Sequence, residues 1–319
     1  MANLIFSLNA TLPIFLVMMA GWAFRQMGII SDSFASQMNK FVFQIALPVS
    51  LFTQLDDIDL DREWDTGFVL FCFAATLSSI LAAALLSYFF AEKGDRAEFV
   101  QGSYRSSASL LGMAYIEMIY GTSSTGALMM LGCVPLYNVA AVLILSAGKG
   151  QKLTGNELRK TLVRIITNPI ILGIMLGFLF SAMKLSMPEF LETSLGYVGR
   201  LASPMGLLSM GAAMDFRKMF GKVKPALCGT FLKLAGFTAV FLPLAVHMGF
   251  TGEKLVAALI MLGSPATVAG YIMAKNMGHE GTLSASMVVT TTLLSSVTLT
   301  LWLWLLRFEK YFKRVLTRT

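Results

Sequence analysis

The sequence predicts an all-α membrane protein of ten transmembrane helices, built as two inverted five-helix repeats in which helices four and nine are broken. Three observations predict this fold. Apolar stretches of about twenty residues recur along the chain, and each is long enough to cross the ~30 Å hydrocarbon layer. The two halves of the chain resemble each other at a fixed offset. Helix-breaking residues occupy matching segments of the two halves.

Composition is that of a membrane protein. Of 319 residues, 56% are hydrophobic and 13% are charged, which is about half the charged fraction usual for a soluble domain. The net charge of +7 comes largely from Lys and Arg in short connections, a pattern that orients membrane helices, so no nucleic-acid partner is expected. The three cysteines and two histidines are not clustered, and neither a metal site nor a cofactor is predicted.

Hydropathy sets the spans, and each is predicted to be a helix because lipid-exposed backbone must bond internally. The first basic residue, Arg25, follows the first apolar stretch, so that stretch is predicted to be a retained helix and not a signal peptide. The predicted spans are residues 6–24, 36–54, 66–91, 99–119, 124–147, 166–186, 197–214, 224–246, 254–276 and 281–306.

An internal repeat emerges when the chain is shifted against itself by 156 residues (169 minus 13). The residues that then coincide are Pro13 with Pro169, Gly21 with Gly177, and Pro48 with Pro204. Each half holds an odd number of helices, so the second half must enter the membrane in the opposite orientation. The prediction is a first repeat at residues 1–147, a cytoplasmic connection at 148–165 and a second, inverted repeat at 166–319.

The distribution of Lys and Arg predicts a multi-pass protein of the plasma membrane with its N-terminus outside. Basic residues then concentrate in the cytoplasmic connections, and few remain in the outer ones. Ten spans return the C-terminus to the outside as well. This places the five basic residues of the tail RFEKYFKRVLTRT outside, against the rule, and an eleventh or a missing span would remove the conflict. The repeat favours ten.

Of the ten predicted spans, helices four and nine have the sequences least compatible with an uninterrupted helix. They occupy equivalent positions in the two repeats. Helix four reads QGSYRSSASLLGMAYIEMIYG, and helix nine reads LGSPATVAGYIMAKNMG. We predict breaks at Gly112, Gly263 and Pro265, the last of which lacks a backbone donor. Matching interruptions favour a binding site at the bilayer midplane, where free N–H groups at helix N-termini attract an anion. The alternative is that the small residues only allow close helix packing.

Polar residues at membrane depth are the candidate ligands, because they are costly there unless paired or functional. Lys233 lies near the midplane and either supplies positive charge for an acidic substrate, reaches towards the interface, or pairs with a buried acid. Arg105 either attracts an anion or anchors its helix at the interface. Gln44 and Asn138, each close to a proline, either line a shared polar cavity or bond between helices.

Several motifs, in order and spacing, resemble the auxin efflux carrier family, in particular its bacterial branch described as malate or malonate permeases. They span nearly the full chain and are LPIFLVMMAGWAFRQMGII, NKFVFQIALPVSLF, YRSSASLLGMAYIEMIYG, VPLYN, NPIILGIMLGFLF and LGSPATVAGYIMA.

The resemblance implies a ten-helix fold with both termini outside, a scaffold unit, a transport unit, and elevator-like alternating access for organic anions. Helices four and nine would cross beside the substrate. The positions that the resemblance assigns to the crossing are Ser106, Ser107, Ser109, Ser264, Pro265 and Thr267, with Asn138 nearby. This chain departs from the family by carrying serines in helix four where proline or asparagine is common, so auxin itself is not expected as the substrate.

The leading functional hypothesis is a secondary transporter of small organic anions such as dicarboxylates. A cation or proton antiporter of similar fold would need a buried carboxylate at the crossing, and the sequence offers only the peripheral Glu117. A ligand-binding membrane sensor is a further hypothesis. An enzyme is not expected, because no phosphate-binding loop or nucleophile motif occurs and no catalytic residue is assigned. The expected partners are a small carboxylate, the lipid bilayer and a second copy in a homodimer, and the coupling ion stays open between proton, sodium and none.

Overall fold

The computed structural model describes residues 2–56, 65–108, 116, 124–147, 163, 167–185 and 187–316. Apart from one isolated bridge, these residues form helices and connections without a strand. Two π-helical turns, Val42–Ala46 and Leu232–Gly236, join α2 to α3 and α11 to α12. The helices are α1 (Ala2–Gln26), α2 (Asp32–Phe41), α3 (Leu47–Asp56), α4 (Thr66–Phe90), α5 (Arg96–Tyr104), α6 (Ser124–Ala147), α7 (Pro169–Ala182), α8 (Glu189–Arg200), α9 (Ala202–Ala212), α10 (Phe216–Gly221), α11 (Val223–Phe231), α12 (Phe237–His247), α13 (Gly252–Gly263), α14 (Val268–Asn276) and α15 (Thr282–Leu316).

Short polar side chains begin several of these helices by accepting a hydrogen bond from a free N–H of the first turn. Ser31 and Asp65 each accept from the N–H three residues later, and Asn168 accepts from the N–H two residues later. Pro169 then occupies the first position of α7, where its missing N–H removes no helical bond. Local chemistry therefore fixes where these helices begin.

The outer surface of the described helices is apolar. On α4, Leu81 and Leu85 are 62% and 64% exposed. The helices long and apolar enough to cross a bilayer are, within the described residues, Thr66–Phe90, Leu128–Ala147, Val223–His247 and Thr282–Leu306. Two shorter apolar helices cover Leu12–Gln26 and Pro169–Ala182. An apolar outer face of this extent is stable only in lipid, so the chain is an integral membrane protein.

The other predicted spans are shorter, longer or interrupted in the structure. The predicted span 36–54 lies within a longer segment made of α2, a π turn and α3. The predicted span 197–214 is divided at Leu201 between α8 and α9. The predicted connection 148–165 lies outside the described residues apart from position 163. The count of ten spans and the inverted repeat stay predictions.

Glycines bring two pairs of helices into contact backbone to backbone. A Cβ added to Gly211 on α9 would overlap Met18 O on α1, and one added to Gly173 on α7 would overlap Pro48 O on α3. Small residues at helix contacts permit this approach in membrane proteins. Predicted helix one thus packs on helix seven, and predicted helix two packs on helix six. The two halves of the chain therefore contact each other reciprocally.

Ion pairs join helix ends that the predicted topology places on the same side of the membrane. Asp65, before α4, pairs with Lys254 in the first turn of α13, and both ends are predicted to face outside. Asp95, before α5, pairs with Lys222, before α11, at 2.5 Å, and both are predicted to face inside. The described ion pairs are therefore compatible with the predicted orientation of these helices.

Asp65 stabilises the start of α4 both as an N-cap and as the partner of Lys254. The ammonium of Lys254, followed by the N–H of Phe68, lowers the pKa of Asp65 below its ordinary value of 3.8. Asp65→Ala is expected to lower the free energy of unfolding by about 1 kcal/mol at neutral pH, whereas Asp65→Asn keeps the cap and should cost less.

The same pKa shift predicts how this stabilisation depends on pH. Because the folded-state pKa lies below 3.8, the contribution of Asp65 is complete above that pH and is lost as the pH falls through the folded value. Thermal unfolding of the wild type and both variants in detergent, at neutral and acidic pH, measures this. The prediction would be contradicted if Asp65→Ala lowered the unfolding temperature by the same amount at both pH values.

Candidate functional site

Two interrupted segments, residues 105–107 and 264–267, cross each other, and we call them the crossover. The first follows α5 and the second follows α13. Ser106 and Ala266 pair in an isolated antiparallel bridge. The interruptions expected in helices four and nine are present, although the first begins before the predicted position, Gly112, which lies outside the described residues.

Proline chemistry explains the second interruption. Pro265 has no N–H, and the residue before it, Ser264, is extended with φ −75° and ψ 159°. The free backbone groups then bond across the crossover and to α15: Ser107 N donates to Pro265 O at 2.9 Å, and Ala266 N donates to Thr291 Oγ1 at 3.0 Å. The broken backbone is thus paired within the protein, as membrane depth requires.

The ammonium of Lys233 contacts both helices that end at the crossover. Its Nζ donates to Tyr104 O, at the end of α5, at 3.2 Å, and to Leu262 O, at the end of α13, at 2.9 Å. It also donates to Ser106 Oγ. A helix C-terminus carries a partial charge of roughly −0.5, so two such ends together balance about one positive charge. Lys233 is therefore compensated by the protein itself.

A cavity of about 140 Å³ lies beside the crossover. This volume is several times the space that one buried water molecule needs. Apolar residues of α1, α3, α6, α9, α14 and α15 form much of its wall, and no carboxylate occurs among the described residues that line it. Its polar side chains include Arg105, Ser107, Asn138, Ser203, Thr267 and Thr292.

Arg105 places a positive charge on the wall of this cavity. The side chain is 5% exposed, and its Nη2 donates to Asn138 Oδ1 at 2.7 Å. Its Nη1 lies 3.5 Å from Tyr137 O and 3.3 Å from Met273 Sδ, while Nε has no hydrogen-bond partner in the described part of the chain. Asn138 Nδ2 donates to Val134 O at 2.8 Å, which fixes the amide. Neutral groups thus orient the guanidinium without neutralising it.

The N-terminus of α14 adds to the positive potential. Thr267, Val268 and Ala269 line the cavity, and Thr267 Oγ1 caps the helix by accepting from Ala269 N at 3.3 Å. The N-terminus of a helix carries partial positive charge and free N–H groups that favour anions. Together with Arg105, this helix end makes the cavity a better site for an anion than for a cation.

Most of the predicted site residues lie together. Those that line the cavity are Arg105, Ser106, Ser107, Asn138, Pro265 and Thr267. Ser264 is buried without lining it, and its Oγ has no partner among the described residues. Gln44 is exposed on the first π turn, away from the cavity. Ser109, like Gly112, lies outside the described residues.

Lys233 requires a correction, because its ammonium does not line the cavity. The physical reason is that two helix ends and a hydroxyl hold the ammonium, so it is directed at the crossover and not at the cavity or the interface. Arg105, in contrast, is buried at the cavity and is not an interfacial anchor. Gly263 is the last residue of α13, as expected of a helix break.

Tyr137 is a site residue that sequence reasoning did not identify. Its carbonyl accepts from Tyr104 OH at 3.1 Å and from Arg105, and its own hydroxyl donates to Met261 O, near the end of α13, at 3.2 Å. Its position next to Asn138 was the signal in the sequence. Thr292 also lines the cavity. It lies in a run of serines and threonines in α15, and its sequence context did not distinguish it from the others.

Buried acidic groups have other roles in the described structure. Glu98 is 1% exposed, and its carboxylate accepts from Gly281 N and Ser284 N, both at 2.8 Å, at the start of α15. It acts as a cap for that helix. Among the described residues, no three His, Cys, Asp or Glu side chains come together where they could hold a metal ion.

A helical, apolar chain whose interrupted helices meet beside a polar cavity has the architecture of a membrane transporter. The sequence model of the family described as "Membrane transport protein" matches residues 6–303. The chain therefore belongs to this family of membrane transporters, and the resemblance to auxin efflux carriers is confirmed.

Similar proteins agree with this assignment. An uncharacterized transporter of Methanothermobacter thermautotrophicus is 22% identical over 300 residues, which cover 93% of this chain and 97% of that protein. The uncharacterized transporter YfdV of Escherichia coli K12 is 20% identical over 311 residues, covering 95% and 99%. Auxin efflux carrier component 5 of Arabidopsis thaliana is 26% identical over 144 residues, covering 42% and 40%. The family is one of transporters and not of enzymes.

Proposed function

We propose that this protein is a secondary transporter that carries small organic anions, dicarboxylates such as malate among them, across the plasma membrane. The observation that carries the proposal is the buried guanidinium of Arg105 on the cavity wall, without a carboxylate partner among the described residues. A buried charge without a counter-ion is costly, and an entering carboxylate would compensate it. The planar fork of Arg matches the two oxygens of a carboxylate.

The alternatives receive less support. A cation or proton antiporter needs a carboxylate at the crossover, and the described lining of the cavity has an arginine and a helix N-terminus instead. A sensor would bind the same anion without moving it. Uptake into vesicles therefore distinguishes a transporter from a sensor. The sign of the transported charge distinguishes an anion transporter from a cation or proton antiporter.

The walls of the cavity support an alternating-access mechanism of the elevator kind. One wall includes Ile14 on α1, Ser50 on α3 and Leu207 on α9, which belong to the helices joined by glycine contacts. The lining also includes the crossover and α6, with Asn138. Movement of one set of helices against the other would change the access to a cavity between them. We assign the first set to a scaffold unit and the second to a transport unit.

Ten spans in two inverted repeats, with both termini outside, is the topology that we propose for this mechanism. The reciprocal packing of α1 on α9 and of α3 on α7 supports it, as do the ion pairs between ends predicted to share a side. A homodimer through the scaffold unit and the identity of a coupling ion stay predictions.

Uptake by proteoliposomes tests the proposed function. Labelled malate, malonate and succinate should show saturable uptake, and each should compete with the others, because the Arg105 site recognises a carboxylate. Matched neutral amides and cationic amines should neither enter nor compete. Absence of saturable uptake for every carboxylate, with stabilisation of the protein by one of them, would favour the sensor.

Asn138→Asp is expected to reduce anion uptake by at least about tenfold. The new carboxylate would stand where Oδ1 accepts from Arg105 at 2.7 Å and would neutralise the charge that the substrate needs. The side chains have the same shape. The new ion pair stabilises the fold, whereas the bond from Asn138 Nδ2 to Val134 O is lost and a carboxylate oxygen faces that carbonyl, so the unfolding temperature should change little. Uptake measured beside thermal unfolding checks both expectations, and full uptake by this variant would contradict a role for the charge of Arg105.

A further inference from the structure

The surroundings of the Lys233 ammonium are made of oxygen. Its partners in the described part of the chain are Tyr104 O, Leu262 O and Ser106 Oγ, and the side chain is 1% exposed. None of the described ion pairs involves it. An ammonium at this depth is therefore stabilised by carbonyl and hydroxyl dipoles and not by a carboxylate.

These oxygens form a ligand set suited to a small cation. Tyr104 O and Leu262 O lie in the last turns of α5 and α13, where carbonyls have no helical N–H partner. Hard cations prefer oxygen ligands, and the C-terminal ends of half-helices coordinate Na⁺ in transporters built from broken helices. The arrangement around Nζ thus has the chemistry of a monovalent cation site, with an ammonium at its centre.

The local backbone delivers this ammonium from a third element. Lys233 lies on the π turn Leu232–Gly236, between α11 and α12. π turns of this kind occur frequently at functional sites. Trp302 Nε1 donates to Leu234 O at 3.0 Å, so a carbonyl of the turn is bonded from α15. The turn that presents Lys233 to the crossover is thus fixed by the neighbouring helix.

We infer that Lys233 is a tethered cation that occupies a monovalent cation site at the crossover, so that the crossover needs no Na⁺ or other inorganic cation to be stable. It concerns which ions the proposed transporter needs. It rests on the proposed function only where the crossover is treated as part of the transport site. Its physical basis, the contacts of Nζ, is independent of which solute enters the cavity.

Cation-dependent thermal unfolding of the full-length protein in detergent tests this inference. The probes are Na⁺ and n-propylammonium, with tetramethylammonium, which has no N–H donor, at equal ionic strength. The unfolding temperature of the wild type should be the same in all three chlorides. Lys233→Ala should unfold at a lower temperature in tetramethylammonium and recover at least half of the loss, saturably, in n-propylammonium or Na⁺, because the vacated oxygens accept either cation.

Three further variants sharpen the test. Lys233→Met fills the space without a charge and should not recover in any salt, whereas Lys233→Arg keeps a cation and should stay independent of salt. Lys222→Ala, which removes a lysine that is 24% exposed and paired with Asp95, should respond equally to the three cations.

Two results would overturn the inference. The first is a saturable Na⁺ dependence of wild-type stability, which needs no variant to fold. The second is a folded Lys233→Ala protein that no small cation stabilises. Because no organic anion is present, neither result bears on whether the protein carries carboxylates, and a failure of carboxylate uptake would leave this inference standing.

Discussion

Replacing Arg105 by Gln is expected to abolish the uptake of small organic anions while the protein stays folded. Removing one partner of a buried charge pair typically costs 2–5 kcal/mol, so the apparent affinity for a carboxylate should fall by at least about thirtyfold. The amide of Gln is too short and uncharged to replace the guanidinium, which lies buried on the cavity wall beside Asn138. Uptake in proteoliposomes and stabilisation by added anions measure the loss.

Stability separates this effect from simple misfolding. Arg105 carries a desolvated charge without a described carboxylate partner, so Arg105→Gln should leave the unfolding temperature of the substrate-free protein unchanged or raise it. Arg105→Lys keeps the charge without the fork and should retain weak uptake. The exposed Arg217 serves as a control, because its replacement by Gln removes the same charge elsewhere. Normal uptake by Arg105→Gln would refute the proposed site.

Among the glycines of the described helices, Gly211→Ala is expected to be the most damaging substitution by alanine. Its Cβ would overlap Met18 O, a main-chain atom of α1 that cannot rotate away. Overpacking of this kind costs about 1–3 kcal/mol, and the two helices must separate to relieve it. Thermal unfolding in detergent should show the loss, and uptake should fall with it.

Gly196→Ala is the matched control for this prediction. Gly196 lies on α8, the helix that precedes α9, and a Cβ added there meets nothing within 4 Å. Because Ala favours a helix over Gly by about 1 kcal/mol, this variant should be as stable as the wild type or more so. Equal behaviour of the two variants would show that α1 and α9 are not in backbone contact.

The sequence predicted those features that depend on local chemistry. Pro265 lacks a donor and forces Ser264 to be extended, so the interruption in helix nine was visible in the residues themselves. The interruption at residues 105–107 was not visible as a helix break, because this segment contains neither proline nor glycine, and the break predicted at Gly112 lies outside the described residues. That segment is held open by Pro265 O and Ala266, which are remote in sequence.

Partners from distant helices could not be predicted. Lys233 is 129 residues from Tyr104 and 29 from Leu262, and no pattern within α11 or α12 indicates those carbonyls. Gln44 and Asn138 are both amides near a proline, yet one is exposed and the other is fully buried beside Arg105. Hydropathy indicates how deep in the membrane a residue lies along its helix. The direction in which its side chain points depends on neighbouring helices, which hydropathy does not include.

The bridge between Ser106 and Ala266 has a consequence for how the protein folds. These residues are 160 positions apart (266 minus 106), so during synthesis the first must wait until well over half of the predicted second repeat has been made. Until then the main chain at residues 105–107 has no partner in the later segment, and water or lipid headgroups must satisfy it. Assembly of the site is therefore a late event, and neither half of the chain made alone contains it.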